Sequence, residues 1–119
     1  MSDENIFDGA AVAKLHQLGG DQFVRRMIDL FFDYAPKRMA AAHASEQTGD
    51  LPAVAKAVHP LKSSAGQLGA RRVQELCGQI EKLAPEQQAG ALPPLLVQLE
   101  AALAQVQPLL EQYRNQPAP

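Results

Sequence analysis

A chain of 119 residues with a formal net charge of −2 is long enough for one modest hydrophobic core but too short for two domains. This charge excludes general binding to nucleic acids or anionic membranes, because both require a strong basic excess. The chain has no membrane-length apolar run and no signal-peptide pattern, and its single cysteine, Cys77, excludes an internal disulfide. We therefore expect one cytoplasmic domain over residues 1–119, ordered over residues 6–114, with a tail at 115–119.

The first part of the chain predicts a short helix followed by a long one. Asp8 is placed to cap the short helix, which the pair Gly19 and Gly20 ends, and Asp21 then opens the long helix. Pro36 predicts a kink or a restart, because proline removes one backbone donor and clashes with the preceding turn. The predicted buried face of the long helix consists of Phe23, Met27, Leu30, Phe31 and Tyr34.

Three further helices follow, and no strand is predicted. The first begins at Leu51 or Pro52 and ends at a left-handed C-cap at Gly69. Residues 85–90 are expected to form a loop before Leu92 opens the last helix. The predicted buried stripes are Val54, Val58, Leu61, Ala65 and Leu68, then Val73, Leu76, Cys77, Ile80 and Leu83, then Leu95, Leu96, Leu99, Leu103, Val106, Leu110 and Tyr113. Short links favour antiparallel neighbours, so the expected fold is an all-α, antiparallel up-down four-helix bundle with a short additional N-terminal helix.

One side of the third predicted helix combines a reactive side chain with very small neighbours. Ala55, His59, Lys62, Ser63 and Gly66 lie above one another on this side. Nothing in the stripe is large enough to bury an imidazole. We therefore expect the histidine to be exposed and open to the approach of another protein, with an ammonium group one turn away.

The chain contains three histidines, and a lone histidine on a helix is usually structural. That interpretation applies to His16 and His43, which are expected at the helix surface or at a boundary. For His59 we reverse it, because a lysine and several small residues accompany the histidine. The three histidines lack the spacing of a metal site in a helical bundle.

The residues that follow His59 resemble the signature of the histidine-containing phosphotransfer (HPt) domains of bacterial multistep phosphorelays. That signature is a histidine, an apolar residue, a lysine, small residues and a glycine, and the helix order over residues 6–113 is also similar. Two positions depart from it, since Ser63 stands where glycine is frequent and Pro60 stands where a helix former is more common. The matching residues are His59, Leu61, Lys62, Ser63, Ser64, Ala65 and Gly69.

The resemblance implies that His59 accepts a phosphoryl group from an aspartyl phosphate in a receiver domain and passes it to another receiver aspartate. A neutral imidazole, with an unperturbed pKa of about 6.5, is nucleophilic at physiological pH. Transfer through a loose transition state requires mainly position and positive charge. Lys62 would stabilise the charge of the phosphoryl group, Ser63 would add a hydroxyl donor, and Gly66 would keep the groove shallow.

The next helix is expected to hold the ring nitrogen that is not phosphorylated, through Gln79 or Glu81, and the family spacing favours Glu81. The chain has no glycine-rich phosphate loop, nucleotide-binding motif or acidic cluster for Mg²⁺. We therefore expect a monomeric phosphocarrier with no cofactor and no ATP-dependent kinase activity of its own. Its expected partners are receiver domains of response regulators and of hybrid sensor kinases, which would supply the Mg²⁺.

Some features near the motif leave two interpretations open. Pro60 should free the carbonyl of Lys56 and bend the helix at the histidine. Phe31 and Phe32 cannot both face inward, and an exposed one would form a docking surface for a receiver. Four basic residues form either a patch that attracts an acidic receiver pocket or an ordinary solvated rim: Lys56, Lys62, Arg71 and Arg72.

Two other functions stay open from the residues alone. A histidine-bearing segment of a sensor kinase would have an acidic residue directly after the histidine, where this chain has Pro60. A non-catalytic helical adaptor would bind receivers without turnover, and the presence of both His59 and Lys62 speaks against it. The cognate partners, the direction of phosphoryl flow and the status of the domain as free-standing or part of a hybrid kinase also stay open.

Overall fold

The fold is a bundle of four α-helices around one apolar core. The computed structural model describes residues 6–84 and 89–115 and has no strand within these ranges. Its elements are α1 (Gly9–Gln47), α2 (Leu51–Leu68), α3 (Arg71–Leu83), a 3₁₀ turn (Ala89–Ala91) and α4 (Leu92–Asn115). α2 and α4 each pack against both α1 and α3, so that helices that follow one another in the chain are neighbours in the bundle. The prediction of an all-α four-helix bundle is confirmed.

α1 consists of two helical segments joined at Gly20. The backbone dihedrals of Gly20, φ 79° and ψ −171°, lie outside helical space, and glycine adopts them without the clash that a Cβ would cause. The Asp8 carboxylate accepts a hydrogen bond from the amide of Ala10 at 3.0 Å and so caps the first segment. The additional short N-terminal helix predicted from these residues is therefore present.

The second segment of α1 runs through Pro36 without restarting. Gly20 is the one residue inside α1 with non-helical dihedrals, so the predicted restart at Pro36 is wrong. The proline removes one amide donor, but Ala35 and Met39 on either side of it are buried. Packing of these residues on the core keeps the helix continuous.

The buried face of α1 differs from the predicted one. Only Phe31 of the predicted stripe is buried, whereas Leu30 is 55% exposed and Tyr34 is 37% exposed. The predicted stripe would continue one turn later at Lys37 or Arg38, which cannot enter an apolar core. A second stripe stays apolar over the whole segment and is the buried one: Val24, Ile28, Phe31, Ala35, Met39 and Ala42.

The predictions for α2, α3 and α4 hold with small differences. α2 begins after Asp50, whose side chain accepts a hydrogen bond from the amide of Ala53 at 3.2 Å, and its predicted stripe is fully buried. In α3 and α4 the predicted residues are also buried, except that Leu83, Leu103 and Tyr113 are half-buried. The core-facing sides of these helices thus fix which side chains point outward.

The turn between α2 and α3 is packed against the start of the described chain. Gly69 has a φ of 78° and forms the left-handed C-cap of α2, as predicted. Its carbonyl accepts a hydrogen bond from the amide of Asp8 at 2.8 Å. A Cβ at Gly69 would overlap the carbonyl oxygen of Asp8, so the position requires glycine both for its dihedrals and for its space.

Two boundaries differ from the predicted ones, the end of α4 and the start of the segment that precedes it. Asn115 is the last residue of α4 rather than the first residue of a tail. Ala89 and Gly90 belong to the 3₁₀ turn rather than to a loop. The rest of the predicted loop, residues 1–5 and the tail beyond Asn115 lie outside the described residues. Within residues 6–84 and 89–115, no helix is long and apolar enough to cross a membrane.

Candidate functional site

His59 lies on the outer face of α2, beside α3. The core stripe of α2 is completely buried, and this orientation turns the histidine away from it. The His59 side chain is 61% exposed. The predicted exposed histidine is thus found where the small-residue stripe of α2 faces solvent.

Glu81 of α3 holds both His59 and Lys62. Its Oε2 lies 3.0 Å from Nδ1 of His59, and its Oε1 lies 2.9 Å from the Lys62 ammonium. The Glu81 side chain is only 23% exposed, and that of Lys62 is 36% exposed. One carboxylate therefore joins an imidazole and an ammonium group from the neighbouring helix.

The charge state of Glu81 determines the hydrogen-bonding role of the His59 ring. Burial raises the pKa of Glu81, but hydrogen bonds from Lys62 and His59 and the charges of both outweigh it and hold this pKa below its usual value. Because an ionised carboxylate can only accept, Nδ1 of His59 must donate the hydrogen. In the neutral ring, Nε2 then carries a lone pair and points away from Glu81.

All three histidines of the chain contact a carboxylate, but they use different nitrogens. His16 bonds Asp21 through Nε2 at 2.6 Å, and His43 also bonds Glu100 through Nε2. His59 alone uses Nδ1 and leaves the outer nitrogen, Nε2, without such a contact. This geometry separates His59 from the other two histidines independently of the sequence motif.

Ser63, Gly66 and Gln79, the other predicted site residues, have different surroundings in the structure. Ser63 is exposed on the same face of α2. Gly66 faces α3, where a Cβ would come within 2.7 Å of Nε2 of Gln74, so this glycine makes room for the Gln74 amide. The amide of Gln79 donates to Glu75 at 3.4 Å, and the hydrogen-bond partner of His59 is Glu81 instead.

Arg38 is a contact residue that sequence analysis missed. Its Nε donates to the carbonyl of Ala57 at 2.9 Å, and its Nη2 donates to the carbonyl of Lys56 at 3.3 Å. Pro60 signals that the Lys56 carbonyl lacks its usual helical donor. No sequence pattern shows which side chain of α1 supplies the replacement.

The basic residues do not form one patch at the histidine. Arg71 and Arg72 precede Glu81 by ten and nine residues on α3, which places them roughly 15 Å away along the helix. Arg72 donates to Gln98 of α4 at 3.3 Å and lies 3.7 Å from Glu75.

Lys56 is exposed one turn before His59 on α2. Of the four predicted basic residues, Lys62 and Lys56 are thus the ones near the imidazole.

Metal-binding side chains are not gathered at this site. Within the described parts of the chain, no group of three His, Cys, Asp or Glu residues is close enough to hold a metal ion. Cys77 is buried beneath the site, and burial together with the nearby Glu81 charge raises the pKa of its thiol to about 12. The thiol therefore stays protonated, and the reactive group available at this surface is the Nε2 lone pair of His59.

The fold and the site together define a helical bundle with one exposed histidine whose ring is oriented by a carboxylate of the neighbouring helix. A profile of the Hpt domain family matches residues 26–115, which include all of α2, α3 and α4. The chain therefore belongs to the Hpt domain family.

Two known proteins are similar to this chain. The crystal structure of histidine-containing phosphotransfer protein B from Pseudomonas aeruginosa PAO1 superposes with a TM-score of 0.85 and 27% identity, covering 91% of this chain and 93% of that one. Histidine-containing phosphotransfer protein 2 of Arabidopsis thaliana is 39% identical over 67 residues, or 54% of this chain. The match spans 43% of the plant protein, less than half of its length.

Proposed function

We propose that this protein is a histidine phosphotransfer protein of a two-component phosphorelay and that His59 is its phosphoacceptor. Nε2 of His59 attacks the phosphorus of an aspartyl phosphate in a receiver domain. The N–P bond forms as the acyl O–P bond breaks, and the aspartate leaves as a carboxylate. The reverse attack by a second receiver aspartate returns the histidine and completes the transfer.

The observation that carries this proposal is the contact between Nδ1 of His59 and Glu81 at 3.0 Å. It fixes the tautomer in which Nε2 is the nucleophile, and it holds the ring on an exposed face. Attack by a neutral imidazole leaves positive charge on the ring, and the adjacent carboxylate stabilises that charge. Glu81 thus both orients and electrostatically supports the phosphoacceptor.

Lys62 is proposed to stabilise the phosphoryl oxygens. Its ammonium is held on Glu81 at 2.9 Å, one helical turn after the histidine. A flexible lysine stem allows this point charge to turn from the carboxylate to an incoming phosphoryl group. Ser63, exposed on the same face, is proposed to add a hydroxyl donor, and Gly66 is proposed to keep that face low by letting the Gln74 amide lie close to α2.

An exposed apolar surface on α1 is proposed as part of the receiver-docking site. Leu30 and Tyr34 are exposed, and with Met27 they line a hollow of about 250 Å³ that reaches Ser64 of α2. Phe32, which the sequence offered as one candidate for this role, lies instead in the groove between α1 and α4. Exposed apolar residues that line a hollow between two helices are typical of protein-docking surfaces.

Further proposals concern the chemical groups that the protein lacks, the partners that would supply them, and its state in the cell. We propose that it works as a phosphocarrier without ATP-dependent kinase activity and binds no cofactor. The Mg²⁺ and the acidic pocket would come from receiver domains of response regulators and hybrid sensor kinases. The protein is proposed to act as a monomer in the cytoplasm.

The proposal is tested by incubating the protein with a receiver domain that carries a ³²P-labelled aspartyl phosphate. We expect acid-labile, base-stable label to move to this protein, and His59→Gln to abolish the transfer. His43→Gln is the matched control and should label like the wild type, with circular dichroism confirming that both variants are helical. Labelling of His59→Gln would contradict the assignment, and binding without any labelling would identify an adaptor.

The docking surface is tested with Leu30→Glu. A carboxylate in the centre of an apolar contact should weaken receiver binding by about tenfold, because about 1.4 kcal/mol of interaction is lost. Val97, which is 64% exposed on α4, provides the control Val97→Glu. Fluorescence anisotropy with a labelled receiver measures both, and equal weakening by the two substitutions would show that only net charge matters.

A further inference from the structure

The backbone of α2 just before His59 is held by a side chain of another helix. Pro60 has no amide hydrogen, so the carbonyl of Lys56 lacks the donor that an α-helix normally provides. Arg38 of α1 donates to this carbonyl at 3.3 Å and to the neighbouring carbonyl of Ala57 at 2.9 Å. The two acceptors lie three and two residues before the histidine.

The Arg38 guanidinium is itself held in place. The residue is half-buried, and its guanidinium carbon lies 5.7 Å from the centre of the Tyr34 ring on the same helix. A planar guanidinium with several donors can span two adjacent carbonyls, whereas a lysine ammonium is a point charge with no such fork. The contact is therefore specific for arginine rather than for a positive charge.

From this geometry we propose that Arg38 is a positioning residue for His59. By holding the two carbonyls, the guanidinium fixes the turn of α2 that Pro60 leaves short of one hydrogen bond. That turn carries the imidazole, so its orientation sets the 3.0 Å contact between Nδ1 and Glu81. Arg38 acts through the backbone and contacts neither the ring nor a phosphoryl group.

The first experiment measures the His59 ring without any phosphotransfer. Long-range ¹H–¹⁵N NMR spectra of the folded protein report the tautomer of each histidine. We expect the wild type to show the Nδ1–H form of His59, and Arg38→Ala to shift it toward a mixture of tautomers. Lys37→Ala removes the same charge from the adjacent position, where the lysine pairs with Asp33 on its own helix, and should leave the spectrum of His59 unchanged.

The second experiment uses Pro60 to separate positioning from general stability. Pro60→Ala restores the amide that the Lys56 carbonyl lacks, so Arg38 should then matter less. With potassium phosphoramidate as the phosphodonor, Arg38→Ala should slow labelling of His59 by about three- to tenfold in the wild-type background. In the Pro60→Ala background the same substitution should change the rate by less than about twofold.

Arg38→Lys keeps the charge and most of the stem, and it replaces Arg38→Ala if that variant loses its helical circular dichroism. We expect Arg38→Lys to fall between the wild type and the alanine variant in both measurements. Full wild-type behaviour of Arg38→Lys, an unchanged tautomer in Arg38→Ala, or equal loss in both backgrounds would each overturn the inference. The labelling experiment rests on the proposed function. If His59 shows the tautomer shift but is never labelled, the phosphoacceptor role fails while the positioning role stands.

Discussion

Two histidine–glutamate pairs connect helices in the described part of this bundle, and they differ in the ring nitrogen that is used and in the groups around them. His59 and Glu81 join α2 to α3, whereas His43 and Glu100 join α1 to α4. The first pair uses Nδ1 of the histidine, leaves Nε2 without a carboxylate partner, and shares its carboxylate with Lys62. The second uses Nε2, so that its remaining ring nitrogen is the one nearer the backbone.

The surroundings of the two pairs also differ. The His43 pair lies at the edge of a groove of about 590 Å³ between α1 and α4, with Phe32, Met39 and Leu103 among its lining residues. The His59 pair lies among small side chains with a lysine on the same carboxylate. A histidine–carboxylate contact alone therefore does not indicate a reactive site. The nitrogen that is used and the presence of a cation distinguish the two pairs.

The largest difference between the two pairs is expected when the carboxylate of each pair is removed in turn. Glu81→Ala should slow phosphotransfer to His59 by about 10- to 100-fold, because the ring loses both its fixed tautomer and its orientation. Glu100→Ala removes the partner of the other histidine and should leave the rate unchanged. Single-turnover transfer from a labelled receiver domain measures both, and equal rates for the two variants would remove the role assigned to Glu81.

A smaller effect is expected from the cation that only the first pair possesses. Lys62→Ala should slow transfer by about tenfold, because a positive charge near the phosphoryl oxygens is lost, while the affinity for the receiver is retained. Lys56→Ala removes the same charge one turn before the histidine and should have less effect. Transfer rates of the two variants at saturating receiver concentration test this prediction. An equal loss of rate in both would indicate that any nearby positive charge suffices and that Lys62 makes no specific contact with the phosphoryl group.

The smallest effect is expected in the pH dependence of stability. The pKa of Glu81 is lower in the folded protein than its unfolded value of about 4.3, so its stabilising contribution is present above that pH and is lost as the pH falls through the lower folded pKa. The wild type should exceed Glu81→Gln by about 1 kcal/mol in unfolding free energy at neutral pH. This difference should shrink in acid.

Urea unfolding followed by circular dichroism at about pH 7 and about pH 3 measures that difference. His59→Gln leaves the Lys62 contact of Glu81 in place and shows how much of the pH dependence the histidine supplies. A stability difference between the wild type and Glu81→Gln that does not change with pH would contradict the ionised state assigned to this carboxylate.

The parts of the fold that sequence analysis predicted correctly are those fixed by local patterns. The buried stripe of α2 and its cap at Gly69 follow from residues a few positions apart, and so does the outward direction of His59. The spacing in the Hpt family favours Glu81 over Gln79, and the structure brings Glu81 to the imidazole.

The parts that were missed depend on contacts between residues distant in the chain. α1 contains two apolar stripes, and the exposure of Leu30 and Tyr34 is decided by which stripe continues past Pro36 to meet the other helices. The bond from Arg38 to the Ala57 carbonyl joins residues 19 positions apart, and neither end carries a local signal. The Lys62 contact with Glu81 likewise depends on how closely α2 and α3 approach.

The close fit of Gly69 against Asp8 bears on the face of α2 that carries His59. The α2–α3 hairpin carries His59 on one arm and Glu81 on the other, and its closed end is seated on the backbone that precedes α1. A side chain at Gly69 would drive this backbone away, and trimming the chain before Gly9 would remove the amide that anchors the turn. Two backbone hydrogen bonds tie the hairpin to this segment, one from the Asp8 amide to the carbonyl of Gly69 and one from the Arg72 amide to the carbonyl of Ile6. A change at the start of the chain is therefore expected to reach the spacing between imidazole and carboxylate.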